Sequence, residues 1–242
     1  KFETTTTVNG KLVGVEVLKD LTLHAKWKGD QYTVTLNVNG GDALSGDPTR
    51  SVTYGQPYGE LPAPTRTGYT FAGWYTNPSV ESSKVEKKDT MPKFLPGTKG
   101  MLLFAKWTPA EVDYTVEHYQ QELNGTYKLK EKETARGITG TWTMANPKNY
   151  EGFQCARTTS ATIAADGSSV MKIYYNRNKY TVTWKPENGT DNIVQTYKYG
   201  AELNTPTVGR AGYKFDGWYT DQDTKFETTT TVNGKLVGVE VL

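Results

Sequence analysis

The chain has 242 residues, and 28 Lys and Arg residues against 26 Asp and Glu residues give a formal net charge of +2. This near-neutral balance gives no sign of a nucleic-acid groove. An aromatic content of 12% indicates folded, β-rich units rather than disorder, because disordered chains are poor in aromatic residues. No run of about 18 apolar residues is present, so we expect no membrane insertion in this segment.

Few residues in the chain could support catalysis or a disulfide framework. Its one cysteine, Cys155, excludes an intramolecular disulfide and any site built from several cysteines. The two histidines, His24 and His118, leave little material for acid–base chemistry near neutral pH. We therefore expect a protein that is not an enzyme, with no catalytic, cofactor-binding or metal-binding residues and no cofactor.

The chain begins and ends on the same sequence. Residues 1–18 and residues 225–242 both read KFETTTTVNGKLVGVEVL. Chance does not produce an identity of this length, so we expect the chain to be a window on a longer tandem array.

Strand signals dominate the chain from its beginning to its end. Apolar residues alternate with polar ones, which is the pattern of half-buried strands. The apolar faces are Val13, Val15 and Val17; Leu21, Leu23, Ala25 and Trp27; Tyr32, Val34, Leu36 and Val38; and Tyr180, Val182 and Trp184. Tight hairpins are expected at Asn9-Gly10, Asn124-Gly125, Asp166-Gly167 and Asn188-Gly189. Helix signals are few, and residues 141–145 and 201–203 could each hold a short helix.

A weaker repeat lies inside the period. Residues 68–76, Gly-Tyr-Thr-Phe-Ala-Gly-Trp-Tyr-Thr, recur as residues 212–220, Gly-Tyr-Lys-Phe-Asp-Gly-Trp-Tyr-Thr. The first copy closes with Ala105-Lys106-Trp107, and Ala25-Lys26-Trp27 is the matching closing segment for the second. Trp27 of a following copy would stand as far beyond Trp218 as Trp107 stands beyond Trp74. The second module is therefore predicted to be split between the two ends of the chain.

These observations divide the chain into four parts. Residues 1–27 are the C-terminal part of a split module, and residues 32–107 are a complete module. Residues 114–177 are a module of another type. Residues 180–242 are the N-terminal part of a module that lacks its last strand.

The module motifs resemble a known family. Residues 32–107, with Tyr54-Gly55, Leu61-Pro62, Gly68-Tyr69, Gly73-Trp74-Tyr75 and the closing tryptophan, resemble the Listeria–Bacteroides repeat, also called the internalin B-repeat. Residues 114–177 are similar to mucin-binding-protein repeats through Tyr114-Thr115-Val116, Gly152-Phe153, Asp166-Gly167 and Tyr174-Tyr175. The resemblance implies a β-dominated α+β fold of small β-grasp (ubiquitin-like) modules in an elongated tandem array. It also implies stalk, spacer or adhesin roles outside the cell, on a bacterial surface, and no active site.

Several residues invite a functional interpretation and have a structural alternative. Trp74-Tyr75 and Trp218-Tyr219 could stack on sugars, but small modules need large side chains for their cores, and the core interpretation is favoured. His118 and Cys155 could form a thiol–base pair. The structural alternative is that His118 is a half-buried strand residue and Cys155 a small apolar one.

Three loop or edge segments also have both a functional and a structural interpretation. Asp42 and Asp47 lie in a Gly-rich loop and could bind calcium, although a solvated loop is favoured. The mixed charges of residues 84–89 indicate a solvated strand or loop edge. Residues 95–98 begin like a sortase signal, but Lys99 follows and a turn is favoured.

The functional hypothesis is a non-enzymatic, extracellular stalk or fibre segment. Its expected partners are neighbouring copies of the same repeat, with residues 1–27 completing residues 180–242 head to tail. The alternative is a module that binds host glycan or mucin.

Overall fold

The computed structural model describes residues 7–8, 11–12, 22, 24–92, 98, 100–221, 225–226, 231–232 and 235–236. Strands dominate it, which confirms the β-dominated class, and within the described residues the only helical segment is a 3-10 turn, Glu81–Ser83. The strands are β1 (Thr7–Val8), β2 (Lys11–Leu12), β3 (Gln31–Asn37), β4 (Thr49–Thr53), β5 (Tyr69–Tyr75), β6 (Lys84–Val85), β7 (Gly100–Pro109), β8 (Glu111–Gln121), β9 (Tyr127–Ile138), β10 (Trp142–Met144), β11 (Phe153–Thr158), β12 (Ser160–Thr162), β13 (Val170–Arg177), β14 (Lys179–Trp184), β15 (Ile193–Lys198), β16 (Thr231–Val232) and β17 (Lys235–Leu236).

The chain forms two compact units that are discontinuous in sequence. One contains residues 1–37, 45–62 and 74–104, and the other contains residues 38–44, 63–73 and 105–242. Strands β5 and β7 contribute residues to both units. The five-stranded sheet to which they belong has the order β4-β3-β7-β5-β6.

The first unit is organised around strand β3. It pairs antiparallel with β4 and parallel with β7, so that Leu36 lies opposite Leu103. The predicted alternation along β3 is confirmed, since Val34 and Leu36 are buried and Thr33 is exposed. The unit's buried apolar side chains are Val34, Leu36, Val52, Tyr58, Trp74, Tyr75, Met91 and Leu103.

The second unit contains a four-stranded sheet of the order β11-β13-β8-β9. Strands β8 and β9 form a long antiparallel hairpin, and β13 runs parallel to β8 with Ile173 opposite His118. The predicted turn at Asn124-Gly125 joins the hairpin strands, with Gly125 at a φ of 93°. The core of this sheet consists of Tyr114, Val116, Ala145, Ile163, Met171, Ile173 and Tyr175.

A two-stranded hairpin, β14–β15, follows in the same unit. Tyr180 pairs with Tyr197 and Trp184 with Ile193. The connection between these strands, residues 185–192, contains Asn188-Gly189 but is longer than the tight hairpin expected there. Beyond β15, described residues 201–221 take part only in the isolated bridges Arg210–Tyr213 and Tyr219–Lys225.

Both expected helices are wrong. Residues 142–144 form strand β10, which pairs with β12, because Trp142 and Thr143 suit a strand and a partner is available. Residues 201–203 are not helical, since so short a segment cannot offset the cost of helix nucleation.

The predicted strand faces near the start of the chain can be followed only in part. The expected alternation of Val13, Val15 and Val17 lies outside the described residues, as do Leu21 and Leu23. Pairing of β1 with β2 and of β16 with β17 is the same in the two identical stretches, with Thr7 opposite Leu12 and Thr231 opposite Leu236.

Candidate functional site

Two residues of the aromatic motif at positions 68–76 belong to the core of the complete module. Trp74 and Tyr75 lie at the end of β5 and are fully buried. The indole Nε1 of Trp74 donates to the Pro62 carbonyl at 2.8 Å, and the Tyr75 hydroxyl donates to Glu81 at 2.9 Å. The core interpretation of this pair is confirmed, because both rings are enclosed and no face is open for a sugar.

The closing tryptophan of this module is held by a second set of contacts. Trp107 on β7 donates its indole N–H to the Val38 carbonyl at 3.0 Å, and its ring meets Phe71 edge-on at 5.6 Å. Strand β7 lies between β3 and β5 in the sheet. The last strand of the module therefore supplies the backbone partners of both the first strand and the motif strand.

The second copy of the motif is in a different environment. Residues 213–219 form no strand, and Tyr213 and Phe215 are exposed. Tyr219 is 45% exposed, whereas its counterpart Tyr75 is 1% exposed. Trp218 rests on Trp184 with ring centroids 5.0 Å apart, and its buried indole N–H has no acceptor within the described part of the chain.

The segment that could close this second copy is also exposed. Trp27, the counterpart of Trp107, has 93% of its surface in solvent, and residues 24–30 form no strand. In the described chain, β14 is paired only with β15. Its other edge corresponds to the edge of β3 that β7 occupies. Strand edges without a partner leave backbone N–H and C=O groups available for another strand.

Two single residues join the 114–177 module to its neighbours. Ala110 separates β7 from β8, and its N–H donates to the Gly68 carbonyl at 2.9 Å while its carbonyl accepts from the Thr139 N–H at 2.9 Å. Asn178 separates β13 from β14 and does the same with Gly152 and Tyr199, both at 2.8 Å. Each linker residue therefore binds a turn of the preceding module and a turn of the following one.

Side chains reinforce the second of these joints. The Arg177 guanidinium donates to the Gln121 and Tyr199 carbonyls, each at 2.7 Å, and its centre lies 5.0 Å from the Phe153 ring. The Tyr199 ring covers Gly152 so closely that a Cβ there would overlap it. These contacts restrict the angle between the two modules.

The proposed pair of His118 and Cys155 does not form. His118 is fully buried, with Nδ1 3.0 Å from the Tyr175 hydroxyl and Nε2 3.1 Å from Glu133. Cys155 is exposed on β11. Because both ring nitrogens are used by other groups, the structural interpretation of this histidine is favoured, although it is fully buried where half-burial was expected.

A charged cluster surrounds this histidine. Lys148 lies 2.6 Å from Glu133 and 3.0 Å from Glu131. Hydrogen bonding to Lys148 holds the pKa of Glu133 below its usual value. A hydrogen bond from Tyr150, and then one from Lys148, lower the pKa of Glu131. The cluster ties strand β9 to residues 148–150, and it is a structural feature of the module.

The loop carboxylates each have partners in the protein. Asp42 accepts from the Thr65 hydroxyl at 2.6 Å, and Asp47 accepts from the Thr49 amide and hydroxyl. The Thr49 hydroxyl, followed by its amide, lowers the pKa of Asp47. No group of three or more potential metal ligands occurs among the residues that the structure describes.

The remaining candidates are surface features. In residues 84–89, Lys84 pairs with Glu86 at 3.2 Å and Lys87 pairs with Glu60 at 2.8 Å, as expected of a solvated edge. Residues 95–97 of the sortase-like sequence lie outside the described residues.

The sequence places short linkers at residues 108–113 and 176–179, but it does not reveal the hydrogen bonds that two of their residues make. Ala110 and Asn178 act through their backbone groups, which leave no side-chain signature. A positional signal does exist, because each stands three residues after the closing aromatic of its module, Trp107 or Tyr175.

Comparison with known families decides what kind of repeat this is. The Listeria–Bacteroides repeat domain matches residues 32–107 and 180–237, which is more than half of the chain. This chain belongs to the Listeria–Bacteroides repeat family. The two matched segments are those that carry the aromatic motif and the unequal burial described above.

Individual relatives of this Listeria–Bacteroides repeat chain match over different lengths. A provisionally named membrane protein of Evansella cellulosilytica is 28% identical over 86% of this chain and 31% of its own length. A provisionally named Gly-rich membrane protein of the same organism is 26% identical over 84% of this chain and 24% of its own length. Internalin H of Listeria monocytogenes is 42% identical over 24% of this chain and 10% of its own length.

The chain thus spans a third or less of the length of each of these relatives. None of the helices in the described ranges of the model has the length and apolar character needed to cross a membrane.

Proposed function

We propose that this chain is a non-enzymatic structural segment of an extracellular stalk or fibre on a bacterial surface. Family membership and the relatives named for membranes and as an internalin support a surface location. The proposed role is mechanical, because each module has its own small core and its neighbours are joined by single linker residues. The stability of such an array is close to a sum of module and nearest-neighbour terms.

Strand order supports the expectation of β-grasp modules. Counted within residues 32–107, the order β4-β3-β7-β5-β6 is 2-1-5-3-4, with the first and last strands parallel. The 114–177 module likewise places its last strand, β13, parallel to its first strand, β8. We assign both modules to this ubiquitin-like arrangement, and we regard residues 114–177 as the mucin-binding-protein-like type.

Head-to-tail completion of the split module is the central part of the proposal. The observation that carries it is the contrast between Tyr75, at 1% exposure, and Tyr219, at 45%, together with a closing Trp27 that is 93% exposed. Residues 19–27 of the following copy would lie beside β14, as β7 lies beside β3. Alignment with the register of β3 and β7 places Thr183 opposite Thr22 and Trp184 opposite Leu23.

Hydrogen exchange on a two-period chain tests this completion. The two-period chain consists of residues 1–224 followed directly by residues 1–242 of a second copy, so that one of its two split modules is continuous. We expect the peptide covering residues 213–219 to show two equal isotope populations, one of them slowed at least about tenfold, because strand amides exchange only on local opening. In the 242-residue chain the same peptide should show one fast population.

The two tryptophans at position 27 provide a matched control. Trp27→Ala in the second copy should remove the slow population, whereas Trp27→Ala in the first copy should leave it unchanged, since no module precedes that residue. A single fast population in the unmodified two-period chain would contradict the completion of one module by the next copy.

Glycan or mucin binding is the second candidate, and one observation favours it. Trp142 on β10 of the 114–177 module exposes 67% of its surface, and an exposed indole is suited to stacking on a sugar. A glycan array probed with the 242-residue chain, and with Trp142→Ala as control, tests it. Hits that the substitution abolishes would support binding, and an array without hits would exclude the candidate.

A further inference from the structure

The two joints of the 114–177 module share one geometry. In both, the linker residue follows the closing aromatic by three positions and directly precedes the first strand of the next module. In both, its N–H donates to a glycine carbonyl in the preceding module, Gly68 or Gly152. In both, its carbonyl accepts an N–H from the next module, that of Thr139 or Tyr199. The joint is therefore a repeated device of this chain.

Each side of the joint is built by a recurring turn. The preceding module supplies an exit turn, in which the glycine has a φ of 74° at Gly68 and 77° at Gly152, and the next residue donates three positions back at 3.0 Å. The following module supplies an entry turn, in which the donor is followed by a glycine with a φ of 78° at Gly140 and 76° at Gly200. Such positive φ values favour glycine.

The chain contains a third entry turn and a third exit turn, which are not joined to each other. Asp30 stands three residues after Trp27 and directly before β3, and its carbonyl accepts from the Tyr54 N–H at 2.8 Å. Gly55 follows with a φ of 75°. This is the entry half of a joint, since it matches Asn178, Tyr199 and Gly200 one for one.

The matching exit half lies in the split module. Gly212 has a φ of 79°, and the Tyr213 N–H donates to the Arg210 carbonyl at 3.1 Å. Whereas a Cβ on Gly68 would approach Ala165 to 2.6 Å, a Cβ on Gly212 would meet nothing within 4 Å. The exit turn of this module therefore has open space where its counterparts carry the following module.

We propose that Gly212 of one copy and Asp30–Tyr54 of the next copy form a third joint of the same geometry. The Asp30 N–H donates to the Gly212 carbonyl of the preceding copy. The Tyr54 ring, which is 46% exposed, covers Gly212 as the aligned Tyr199 covers Gly152. This inference rests on the proposed head-to-tail order of copies and adds the contact that fixes the angle between successive periods.

Distance measurements between spin labels in the two-period chain test the joint. With Cys155→Ser in both copies, labels are placed at Asn192→Cys in the first copy and Ser45→Cys in the second, both at exposed loop positions. We expect a single narrow distance distribution. Gly212→Ala in the first copy should widen it at least about twofold, because the new methyl group would overlap the Tyr54 ring.

Gly189→Ala in the first copy is the matched control. Gly189 has a φ of 89° and nothing within 4 Å of a built Cβ, so it carries comparable backbone strain outside the joint. The Gly189 variant should keep the narrow distribution. Tyr54→Ala in the second copy should widen it, and Trp142→Ala, which removes another exposed aromatic residue, should not.

The outcomes separate this inference from the proposed function. A broad distribution in the unmodified chain, or equal widths for the Gly212 and Gly189 variants, would overturn the joint even if residues 213–219 are protected from exchange. Loss of that protection in the unmodified chain would instead overturn the completion on which the joint depends.

Discussion

The segments 69–75 and 213–219 carry nearly the same sequence in two different states. Residues 69–75 form a strand whose Trp74 and Tyr75 are buried, whereas residues 213–219 form no strand and expose Tyr213, Phe215 and Tyr219. Local propensity cannot explain the difference, because the aromatic residues are shared. The two segments differ in their neighbours, since the first lies beside β7 in the sheet and the second has no such strand in the described chain.

One core position of the hairpin is buried alike in the two modules. Leu36 on β3 and its counterpart Trp184 on β14 have the same exposure, 5%. The hairpins β3–β4 and β14–β15 form in both modules from residues close in sequence. The hairpin is therefore present in both modules, whereas the motif residues form a strand only in the module that contains β7.

The largest expected effect concerns the shared tryptophan. Trp74→Ala should lower the free energy of unfolding of the 32–107 module by about 3–5 kcal/mol, because it removes a fully buried indole from a well-packed core. Trp218→Ala in the 242-residue chain should cost less than about 1 kcal/mol, since the ring is only half-buried. Urea denaturation monitored by the hydrogen exchange of each module's first strand measures both.

Equal losses of unfolding free energy for Trp74→Ala and Trp218→Ala would contradict this difference between the modules. Trp142→Ala, at an exposed position of the 114–177 module, is the control and should change neither transition. In the two-period chain, the unfolding free energy lost through Trp218→Ala in the first copy should rise toward that lost through Trp74→Ala.

An intermediate effect is expected at the glycine inside the motif. Gly73 and Gly217 have φ values of 134° and 140°, which residues other than glycine rarely adopt. Gly73→Ala should cost about 1–3 kcal/mol, because β5 holds the strained conformation in place. Gly217→Ala should cost less, since residues around it are not held in a sheet. The same denaturation measurement checks this, and a larger loss at Gly217 would contradict it.

The smallest effect concerns a carboxylate that the complete module lacks. Asp216 stands where the other copy has Ala72, and the Tyr219 hydroxyl donates to it at 2.6 Å. This bond, followed by the charge of Lys225, holds the pKa of Asp216 below its usual value. The stabilisation is therefore present above the ordinary Asp pKa and is lost as the pH falls through the folded value.

Titration by nuclear magnetic resonance measures this pKa directly. Tyr219→Phe should raise it toward the ordinary value. In the first copy of the two-period chain, the pKa of Asp216 should also lie nearer the ordinary value, because completion moves Tyr219 to the position of Tyr75. An unchanged Asp216 pKa in the Tyr219 variant would show that the hydroxyl is not the main cause of the lowered value.

The sequence was sufficient for features that depend on residues close together. The alternation of Tyr32, Val34 and Leu36 predicts β3, and Asn124-Gly125 predicts the hairpin of β8 and β9. The aromatic residues Trp74 and Tyr75 predict the core because a small module has few other large side chains to bury.

Features that depend on distant partners or on the backbone alone were not predictable. Strand β10 forms because β12 is available to pair with it, and nothing in residues 142–144 specifies that partner. The joints at Ala110 and Asn178 are made by backbone N–H and C=O groups, which every residue except proline possesses.

The most direct test of the account is a cross-strand disulfide in the two-period chain. Cys155→Ser is made in both copies, with Thr183→Cys in the first copy and Thr22→Cys in the second. Completion in the register of β3 and β7 places these positions on adjacent strands, within the distance of roughly 7 Å that a disulfide can span. The control replaces Thr183→Cys with Thr196→Cys, on β15, which lies on the other side of β14.

Peptide mapping after mild oxidation gives the result. We predict that the pair at positions 183 and 22 forms a disulfide and that the pair at positions 196 and 22 does not. Failure of the 183–22 pair to cross-link, or equal cross-linking of both pairs, would contradict the claim that the closing strand of one copy completes the module of the copy before it.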